Sequence, residues 1–311
     1  MMNSSDTTFI LSAYSEIGNT KYIYFIILLL LYIFTISANL ILIVVICVER
    51  SLHEPMYFFL CILSVNSIFG STAIYPCLLT NILSDHHAIS RISCLVQLFC
   101  LHIFVYCEFS SLALMGYDRY LSICYPLQYN MIMTPGKVIK IIILSWLYSI
   151  CPFGILFILT LQLPLCGRII DKIACANYSI LKLSCIDTSI NNIYGLITLV
   201  FNAVLPVILI LYSYLRILRL CLRSSKASQA KALNTCTPHL VTLINFFISD
   251  FFETVQARFD MSYVPSEVRN FLSAYLMIIP PLINPIIYGI RIGNINVRLR
   301  KWFVHKIHPW F

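Results

Sequence analysis

Charged residues are scarce in this chain of 311 residues. Asp, Glu, Lys and Arg together make up 11% of the sequence, whereas 59% of the residues are hydrophobic and the mean hydropathy is +0.86. A water-soluble domain of this size needs far more polar side chains to cover its surface. The composition therefore excludes a soluble globular fold and predicts a membrane protein.

The apolar runs also lack the alternation of polar and apolar residues that a transmembrane β-strand shows, so helices are the spanning form that the sequence supports. Six runs contain no Asp, Glu, Lys or Arg, and each is near or above the ~18–20 residues that cross a ~30 Å hydrocarbon core. A seventh run, 92–117, qualifies once Glu108 is allowed inside it. The sequence therefore predicts an all-α membrane protein, a seven-transmembrane helix bundle with helices at approximately 22–48, 56–83, 92–125, 137–161, 190–222, 231–256 and 267–291.

No linker, low-complexity segment or internal repeat interrupts the chain, which predicts a single domain over residues 1–311. The missing repeat speaks against a transporter. The spans also lack a cluster of nucleophile, base and metal ligands, which speaks against an enzyme and against a bound metal or other cofactor. Beyond the last span, basic and aromatic residues mix and predict a short amphipathic helix at approximately 294–308 on the cytoplasmic leaflet.

Basic residues are distributed unevenly between the two sides of the predicted bundle. With the N-terminus outside, the inner loops and tail carry fourteen of the 21 Lys and Arg residues, and the outer segments carry seven. This bias predicts an extracellular N-terminus and a cytoplasmic C-terminus, and it explains the net charge of +8 without a nucleic-acid partner. Two glycosylation sequons, at Asn3 and Asn177, both fall on the predicted outer side. The first apolar run is too long for a cleaved signal peptide and is expected to act as a retained signal-anchor.

Only four of the 13 cysteines lie on the predicted outer side, where disulfides form. They are Cys94, Cys166, Cys175 and Cys185. Four cysteines allow three pairings, and the residues by themselves leave all three open. The other nine are expected to be free thiols that pack as small hydrophobic residues.

Two of the rare charges stand side by side in the stretch MGYDRYLSICYPLQY, residues 115–129, at the cytoplasmic end of the third helix. Asp118 can pair with Arg119 and hold it in one orientation, and release of that arginine toward a neighbouring helix or a partner protein would be a two-state event. A simple interfacial anchor is the alternative. The charge pattern alone leaves both interpretations open.

The motif in its context resembles a known family. Asp118-Arg119-Tyr120, taken with Asn284-Pro285-Ile286-Ile287-Tyr288 in the seventh helix, resembles the pair of signatures of rhodopsin-like G-protein-coupled receptors. More narrowly, residues 115–129 resemble the MAYDRYxAICxPLxY hallmark of odorant receptors. Four further blocks resemble that family in its order along the chain: residues 52–60, 213–214, 231–239 and 280–289.

The resemblance implies roles for these residues. Arg119, held by Asp118, would be the inactive-state latch, and it would move toward Tyr214 and Tyr288 when the sixth helix swings outward and opens a cleft for a G protein. Pro285 would supply a kink that lets the seventh helix rearrange, because proline removes one backbone hydrogen bond. The implied activation switch comprises Asp118, Arg119, Tyr120, Tyr214, Asn284, Pro285 and Tyr288. The family pattern also implies two disulfides, Cys94–Cys175 and Cys166–Cys185.

Glu108 lies nearly three turns outside Asp118, at a depth where an ionised carboxylate needs a partner. The odorant-receptor pattern carries an acid here, and Asn66 occupies the place where most rhodopsin-like receptors carry an aspartate that helps to bind sodium. A sodium-linked polar network around Glu108 and Asn66 is one interpretation. A protonated glutamic acid that is hydrogen-bonded inside the bundle is the other.

Rhodopsin-like receptors bind small molecules in the outer half of the bundle, between helices three, five, six and seven. The resemblance therefore implies a ligand site formed by His102, Val105, Tyr106, Thr198, Asn202, Phe247, Asp250, Phe251, Thr254, Arg258 and Met277. Helical spacing supports part of this set, because residues 247, 251, 254 and 258 form one stripe on the sixth helix. Asp250 lies on the flank of that stripe.

Arg258 is at the outer end of the stripe. Residues 257–259 resemble a His-Arg-Phe run found in many fish-like, or class I, odorant receptors, and His102 also fits that group. A guanidinium at the mouth of an apolar pocket is suited to bidentate capture of a carboxylate or sulfate, which favours a water-soluble anionic odorant. Asp250 and Glu253 are the alternative, because they could pair with Arg258 or receive a cationic amine.

The resemblance implies a multi-pass receptor in the plasma membrane of olfactory sensory neurons. It would bind a small odorant, activate a heterotrimeric G protein of the stimulatory or olfactory type and raise cyclic AMP, with membrane lipid as its third partner and no cofactor. The alternative is a non-olfactory rhodopsin-like receptor for a small amine or lipid. That alternative is disfavoured because residues 245–248 stand where those groups carry a Cys-Trp-x-Pro run.

Overall fold

The computed structural model describes residues 8–14, 18–222, 225–259, 261, 263–291 and 295–297, and within them seven helices are long and apolar enough to cross a membrane. They are α1 (Lys21–Val48), α2 (Pro55–Leu83), α3 (Arg91–Cys124), α4 (Pro135–Leu161), α5 (Ser189–Cys221), α6 (Lys226–Arg258) and α7 (Ser266–Arg291). The seven-helix fold predicted from the gaps between charges is confirmed. Residues 295–297 are helical as well, and the rest of the amphipathic helix predicted at 294–308 lies outside the described residues.

Proline and serine mark several helix starts. Pro55 and Pro135 stand in the first turns of α2 and α4, where the missing N–H removes no helical hydrogen bond. The Ser90 hydroxyl caps α3 by accepting a hydrogen bond from the Ser93 backbone N–H at 3.1 Å. α6 begins five residues before the predicted position 231, because residues 226–231 have high helix propensity and continue the helix past the end of the apolar run.

The third helix is the centre of the bundle and packs against α2, α4, α5 and α6. Gly70 on α2 faces the ring of Phe104 on α3, and a Cβ atom at Gly70 would lie 2.4 Å from that ring. Glycine is therefore required for the two helices to approach this closely. On the other side of α3, Phe246 of α6 makes edge-to-face contacts with Phe104 and Phe109, with ring centroids 6.0 and 4.9 Å apart.

A small sheet covers the outer end of the bundle, and the sequence did not predict it. Its strands are β1 (Thr8–Leu11), β2 (Ala88–Ser90) and β3 (Ile169–Ile170), in the order β2-β1-β3. β1 pairs antiparallel with β2 and parallel with β3. Phe9 and Leu11 are fully buried, whereas Ile10 between them is 46% exposed. Just after β1, the Tyr14 hydroxyl donates to the Ile173 carbonyl at 2.6 Å, so the start of the chain is fastened to the outer loop between α4 and α5.

Two disulfides fix that outer loop. One joins Cys94 at the start of α3 to Cys175, and the other joins Cys166 to Cys185 within the loop. This is the pairing that the odorant-receptor resemblance implies. The loop also contains a short helix, Asn177–Leu181, that the sequence did not predict. The bridge to α3 places this short helix directly over the gap between α3, α5 and α6.

Candidate functional site

A cavity of about 140 Å³ lies between the outer halves of α3, α5, α6 and α7, below the loop that precedes α5. Seven of the eleven residues in the predicted ligand set line it: His102, Val105, Tyr106, Asp250, Thr254, Arg258 and Met277. Leu101, Phe104 and Leu276 are among the other lining residues. A mostly apolar enclosure with a few polar groups is typical of a small-molecule site.

His102 forms a fixed part of the cavity wall. Its ring lies flat against Phe153 of α4, with ring centroids 4.5 Å apart and an angle of 8° between the planes. Nδ1 donates to the Leu98 carbonyl at 2.9 Å, because a carbonyl oxygen can only accept. In the neutral ring Nε2 is then the acceptor. His102 therefore has one defined orientation.

Thr198 and Asn202 of α5 are buried, but they do not line the cavity. Thr198 Oγ1 donates to the Gly195 carbonyl at 2.9 Å, and Asn202 Nδ2 donates to the Thr198 carbonyl at 3.0 Å. The structure thus corrects the prediction of direct ligand contact. Both side chains form hydrogen bonds within their own helix instead.

Phe247 and Phe251 are also misplaced by the sequence prediction. They are 37% and 59% exposed on the outside of α6, where their rings stack on each other with centroids 6.1 Å apart. Phe246, one residue earlier, is fully buried, so the inward face of α6 is rotated by one residue from the predicted stripe. Both faces of a membrane helix are apolar, and lipid accepts an outward phenylalanine as readily as the interior does.

Glu253 lines the cavity although it was absent from the predicted ligand set. Its Oε1 accepts a hydrogen bond from Lys172 of the outer loop at 3.0 Å, and its Oε2 accepts one from the Ser273 hydroxyl of α7. Lys172 is only 7% exposed, so this ion pair is shielded from solvent. The acid and the lysine are 81 residues apart in the chain, and no local pattern reveals such a pair.

Arg258 lines the cavity without a carboxylate partner in the described part of the chain. The ion pairs found there are Lys21–Asp85, Asp118–Arg119, Lys172–Glu253 and Asp171–Arg269. The guanidinium carbon of Arg258 lies 5.4 Å from the centroid of the Tyr178 ring, a cation–π geometry. Its Nε is buried and has no hydrogen-bond partner among the described residues. The alternative in which Asp250 or Glu253 neutralises Arg258 is therefore not the arrangement that the chain adopts.

Asn177, a predicted glycosylation site, also lines the cavity. It is 8% exposed, and its Oδ1 accepts a hydrogen bond from the Thr160 hydroxyl at 2.8 Å. A glycan on its side-chain nitrogen has no room in this arrangement, so the structure corrects that prediction. The other predicted site, Asn3, lies outside the described residues.

Below the cavity, Glu108 joins three helices. Its Oε2 accepts a hydrogen bond from Asn66 Nδ2 of α2 at 2.9 Å, and its Oε1 accepts one from Asn284 Nδ2 of α7 at 2.6 Å. Glu108 is fully buried. The Oδ1 atoms of both asparagines are buried and lack a hydrogen-bond partner among the described residues.

At the cytoplasmic end of α3, Asp118 holds two partners. Its Oδ2 pairs with the Arg119 guanidinium, and its Oδ1 accepts a hydrogen bond from the Tyr129 hydroxyl at 2.6 Å. Tyr129 belongs to a short helix, Tyr129–Ile132, in the loop between α3 and α4. Burial, and then the charge of Asp118, raise the pKa of Tyr129 above its usual value, so this phenol stays a hydrogen-bond donor. Sequence reasoning missed Tyr129 as a functional residue, although it ends the hallmark stretch.

The remaining residues of the predicted switch lie on α3, α5 and α7. The Tyr214 hydroxyl and His239 Nδ1 form a hydrogen bond of 2.6 Å, which links α5 to α6. Tyr288 is 1% exposed, and Pro285 lies inside α7. Tyr120 points elsewhere and donates to the Tyr125 hydroxyl at 3.4 Å. His239 was not in the predicted switch, and its place at the end of block 231–239, which resembles the odorant-receptor family, was the available signal.

Comparison with known proteins identifies what this chain is similar to. The family model described as "Olfactory receptor" matches residues 28–306. Olfactory receptor-like protein OLF3 from Canis lupus familiaris is 33% identical over 285 residues, which cover 91% of this chain and 89% of that protein. Olfactory receptor 52D1 from Homo sapiens is 35% identical over 87% of this chain and 86% of its own length. Olfactory receptor 2G6 from Homo sapiens is 36% identical over 96% and 94%.

Among solved structures, the crystal structure of squid rhodopsin superposes with a TM-score of 0.74 and covers 96% of this chain and 88% of that chain. The two sequences are 18% identical, so this likeness shows a shared fold. The relatives show more, because their identity extends over nearly the whole chain. The chain therefore belongs to the olfactory receptor family: it is a multi-pass plasma-membrane receptor that binds small odorant molecules and signals through a G protein, and it is not an enzyme.

Proposed function

We propose that this receptor recognises a small odorant that carries a carboxylate, and that Arg258 binds that group. The proposal rests on Arg258, a cation in the cavity wall. Arg258 has no carboxylate partner among the described residues, and its buried Nε has no hydrogen-bond partner among them. A guanidinium can bind a carboxylate through two parallel hydrogen bonds. Glu253, an acid that lines the same cavity, is already bound to Lys172.

The entrance to the cavity favours the same ligand charge. An outer chamber of about 510 Å³ lies above it and is lined by Lys172, Lys182, Arg258 and Arg269, with Asp171 as the only acidic side chain in that lining. Lys182 and Arg258 both contact the ring of Tyr178, at 5.0 and 5.4 Å from its centroid. A chamber with excess positive charge raises the local concentration of anions. An anionic odorant is thus attracted before it reaches Arg258.

We infer that ligand binding is transmitted to the cytoplasmic face through α6. Arg258, Thr254 and Asp250 of α6 line the cavity, while His239 near the other end of the same helix is bonded to Tyr214. An outward movement of α6 would separate Tyr214 from His239 and free the tyrosine for Arg119, once Arg119 leaves Asp118. The opened cleft would then receive a G protein of the stimulatory or olfactory type, which raises cyclic AMP, while lipid surrounds the outer faces of the helices.

The network around Glu108 fits a sodium ion as a further element of this proposal. Both carboxylate oxygens accept hydrogen bonds from amide nitrogens, which suits a carboxylate more than a protonated acid, because the acid would need an acceptor. Sodium prefers oxygen ligands, and Glu108, Asn66 and Asn284 would supply carboxylate and amide oxygens to it. Neither amide oxygen has a hydrogen-bond partner among the described residues.

The placement of this chain in the fish-like group stays a prediction.

The test is a cyclic AMP assay in cells that co-express the receptor with an olfactory G protein, with short carboxylates, amines and neutral volatiles as ligands. We expect responses to carboxylates, and we expect Arg258→Ala to raise the half-maximal concentration about 10- to 100-fold, because a charge-assisted hydrogen bond contributes about 1.5–3 kcal/mol. Arg91→Ala is the matched control, since Arg91 lies at the outer start of α3, donates to the Leu161 carbonyl and lines neither the inner cavity nor the outer chamber.

Surface expression of both variants is measured in parallel by antibody labelling of an N-terminal tag. If carboxylates activate Arg258→Ala as well as they activate the wild type, Arg258 does not bind the odorant. If only amines activate the wild type, the proposed ligand charge is wrong, although the receptor function stands.

A further inference from the structure

Two ionisable side chains of the inner cavity lack an ion-pair partner among the described residues. Asp250, Glu253 and Arg258 all line this cavity. Glu253 is compensated by Lys172 at 3.0 Å, with Ser273 on its second oxygen. Asp250 takes part in none of the ion pairs found among the described residues, and neither does Arg258. One acidic and one basic side chain therefore face the same cavity, each without an ion-pair partner among the described residues.

The two groups are placed to face one ligand. Asp250 and Arg258 are eight residues apart on α6, which corresponds to ~12 Å along the helix axis and a rotation of ~80°. Because α6 runs outward along the chain, Asp250 lies at the deeper level and Arg258 at the outer level of the same cavity. Tyr106 of α3 lines that cavity as well. A ligand that lies between the two levels can therefore contact both side chains.

A ligand with a single charge would compensate only one of the two side chains. A carboxylate bound to Arg258 leaves Asp250 without a cation and adds a second negative charge to the cavity. An amine bound to Asp250 leaves Arg258 without an anion in the same way. A largely apolar site makes an uncompensated charge costly. A ligand with an ammonium group at one end and a carboxylate at the other compensates both.

The size of the cavity limits the length of such a ligand. Its volume is about 140 Å³. A cavity of roughly 150 Å³ holds one benzene molecule, so a ligand with only a few more non-hydrogen atoms is near the upper limit. A short aliphatic chain between the two charges also matches the apolar wall that Val105, Leu276 and Met277 provide.

We propose that the odorant of this receptor is a small zwitterion, an ω-amino carboxylate whose carboxylate binds Arg258 and whose ammonium binds Asp250. The proposal rests on the proposed function, because it keeps Arg258 as the carboxylate-binding residue, and it adds Asp250 as the residue that determines specificity. 5-Aminopentanoate is a suitable probe. Pentanoate and pentylamine each carry one of its two charges on a chain of the same length.

The experiment measures direct binding of these three probes to the purified full-length receptor in lipid nanodiscs, by ligand-induced thermal stabilisation over a concentration series. We expect 5-aminopentanoate to bind at least about tenfold more tightly than pentanoate or pentylamine, because the second charge-assisted bond adds to the first. Asp250→Asn is expected to remove the advantage of 5-aminopentanoate over pentanoate while pentanoate still binds. Arg258→Gln is expected to remove its advantage over pentylamine in the same way.

Binding of pentanoate to Asp250→Asn, and of pentylamine to Arg258→Gln, shows that each variant is folded. Asp85→Asn and Arg91→Gln are the matched controls, because both residues lie on the outer side and line neither the inner cavity nor the outer chamber. If 5-aminopentanoate binds no better than pentanoate, the zwitterion proposal is overturned, while binding of pentanoate that depends on Arg258 would preserve the proposed function. If none of the three probes binds, both are overturned.

Discussion

At the scale of single residues, Asp118 is the point where two restraints on the proposed cytoplasmic latch meet. One oxygen holds Arg119 and the other accepts the hydroxyl of Tyr129 at 2.6 Å. Asp118 is fully buried, so a lost hydrogen bond there is not simply replaced by water. Tyr129 therefore fixes the orientation of the carboxylate that in turn fixes the arginine.

Tyr129→Phe removes the hydroxyl and keeps the ring. We expect basal cyclic AMP to rise, because a hydrogen bond to a charged group contributes about 1.5–3 kcal/mol, enough to shift a two-state ratio about tenfold or more. The measurement is ligand-free cyclic AMP normalised to receptor at the cell surface. Tyr212→Phe is the matched control, since that tyrosine is 55% exposed on the outside of α5. Basal activity equal to that of the wild type would contradict the role of Tyr129 in the latch.

At the scale of elements, the strand β1 connects three parts of the outer surface that are far apart in the chain. It pairs with β2 before α3 and with β3 in the outer loop, and its inward residues Phe9 and Leu11 are fully buried. A four-residue strand leaves no recognisable period in the sequence, and its partner β3 lies about 160 residues away. The sheet was therefore beyond prediction, although each strand is apolar enough to form it.

We expect Phe9→Ala combined with Leu11→Ala to loosen the cover of the cavity without unfolding the bundle. Each large-to-small change in a packed interior costs about 2–5 kcal/mol, and here the loss falls on a small sheet that can open locally. Faster amide hydrogen exchange in residues 169–175 and faster ligand dissociation are the expected results. Ile10→Ala, on the exposed face of the same strand, should change neither. Unchanged exchange in the double variant would show that β1 does not restrain the loop.

At the scale of the whole molecule, the sequence predicted the features that the membrane environment determines, and it missed the features that side-chain packing determines. Lipid excludes charges, so the gaps between charges located all seven spans, and the polar latch and the outer disulfides followed from the family resemblance. The rotation of α6 could not be predicted, because Phe246 faces the interior and Phe247 faces lipid, and both environments are apolar. The Lys172–Glu253 pair likewise depends on a loop whose path no local pattern specifies.

The orientation of the whole chain and the burial of the outer loop can be tested together by glycosylation. Both sequons end in serine, so Ser5→Ala removes the one at Asn3 and Ser179→Ala removes the one at Asn177 without touching either asparagine. We expect enzymatic deglycosylation to shift the gel mobility of the wild type and of Ser179→Ala, because Asn177 is buried and bonded to Thr160. Ser5→Ala should show no shift, since an extracellular N-terminus leaves Asn3 as the acceptor. A shift that persists in Ser5→Ala and disappears in Ser179→Ala would mean that Asn177 carries the glycan, which would be incompatible with its place in the cavity wall.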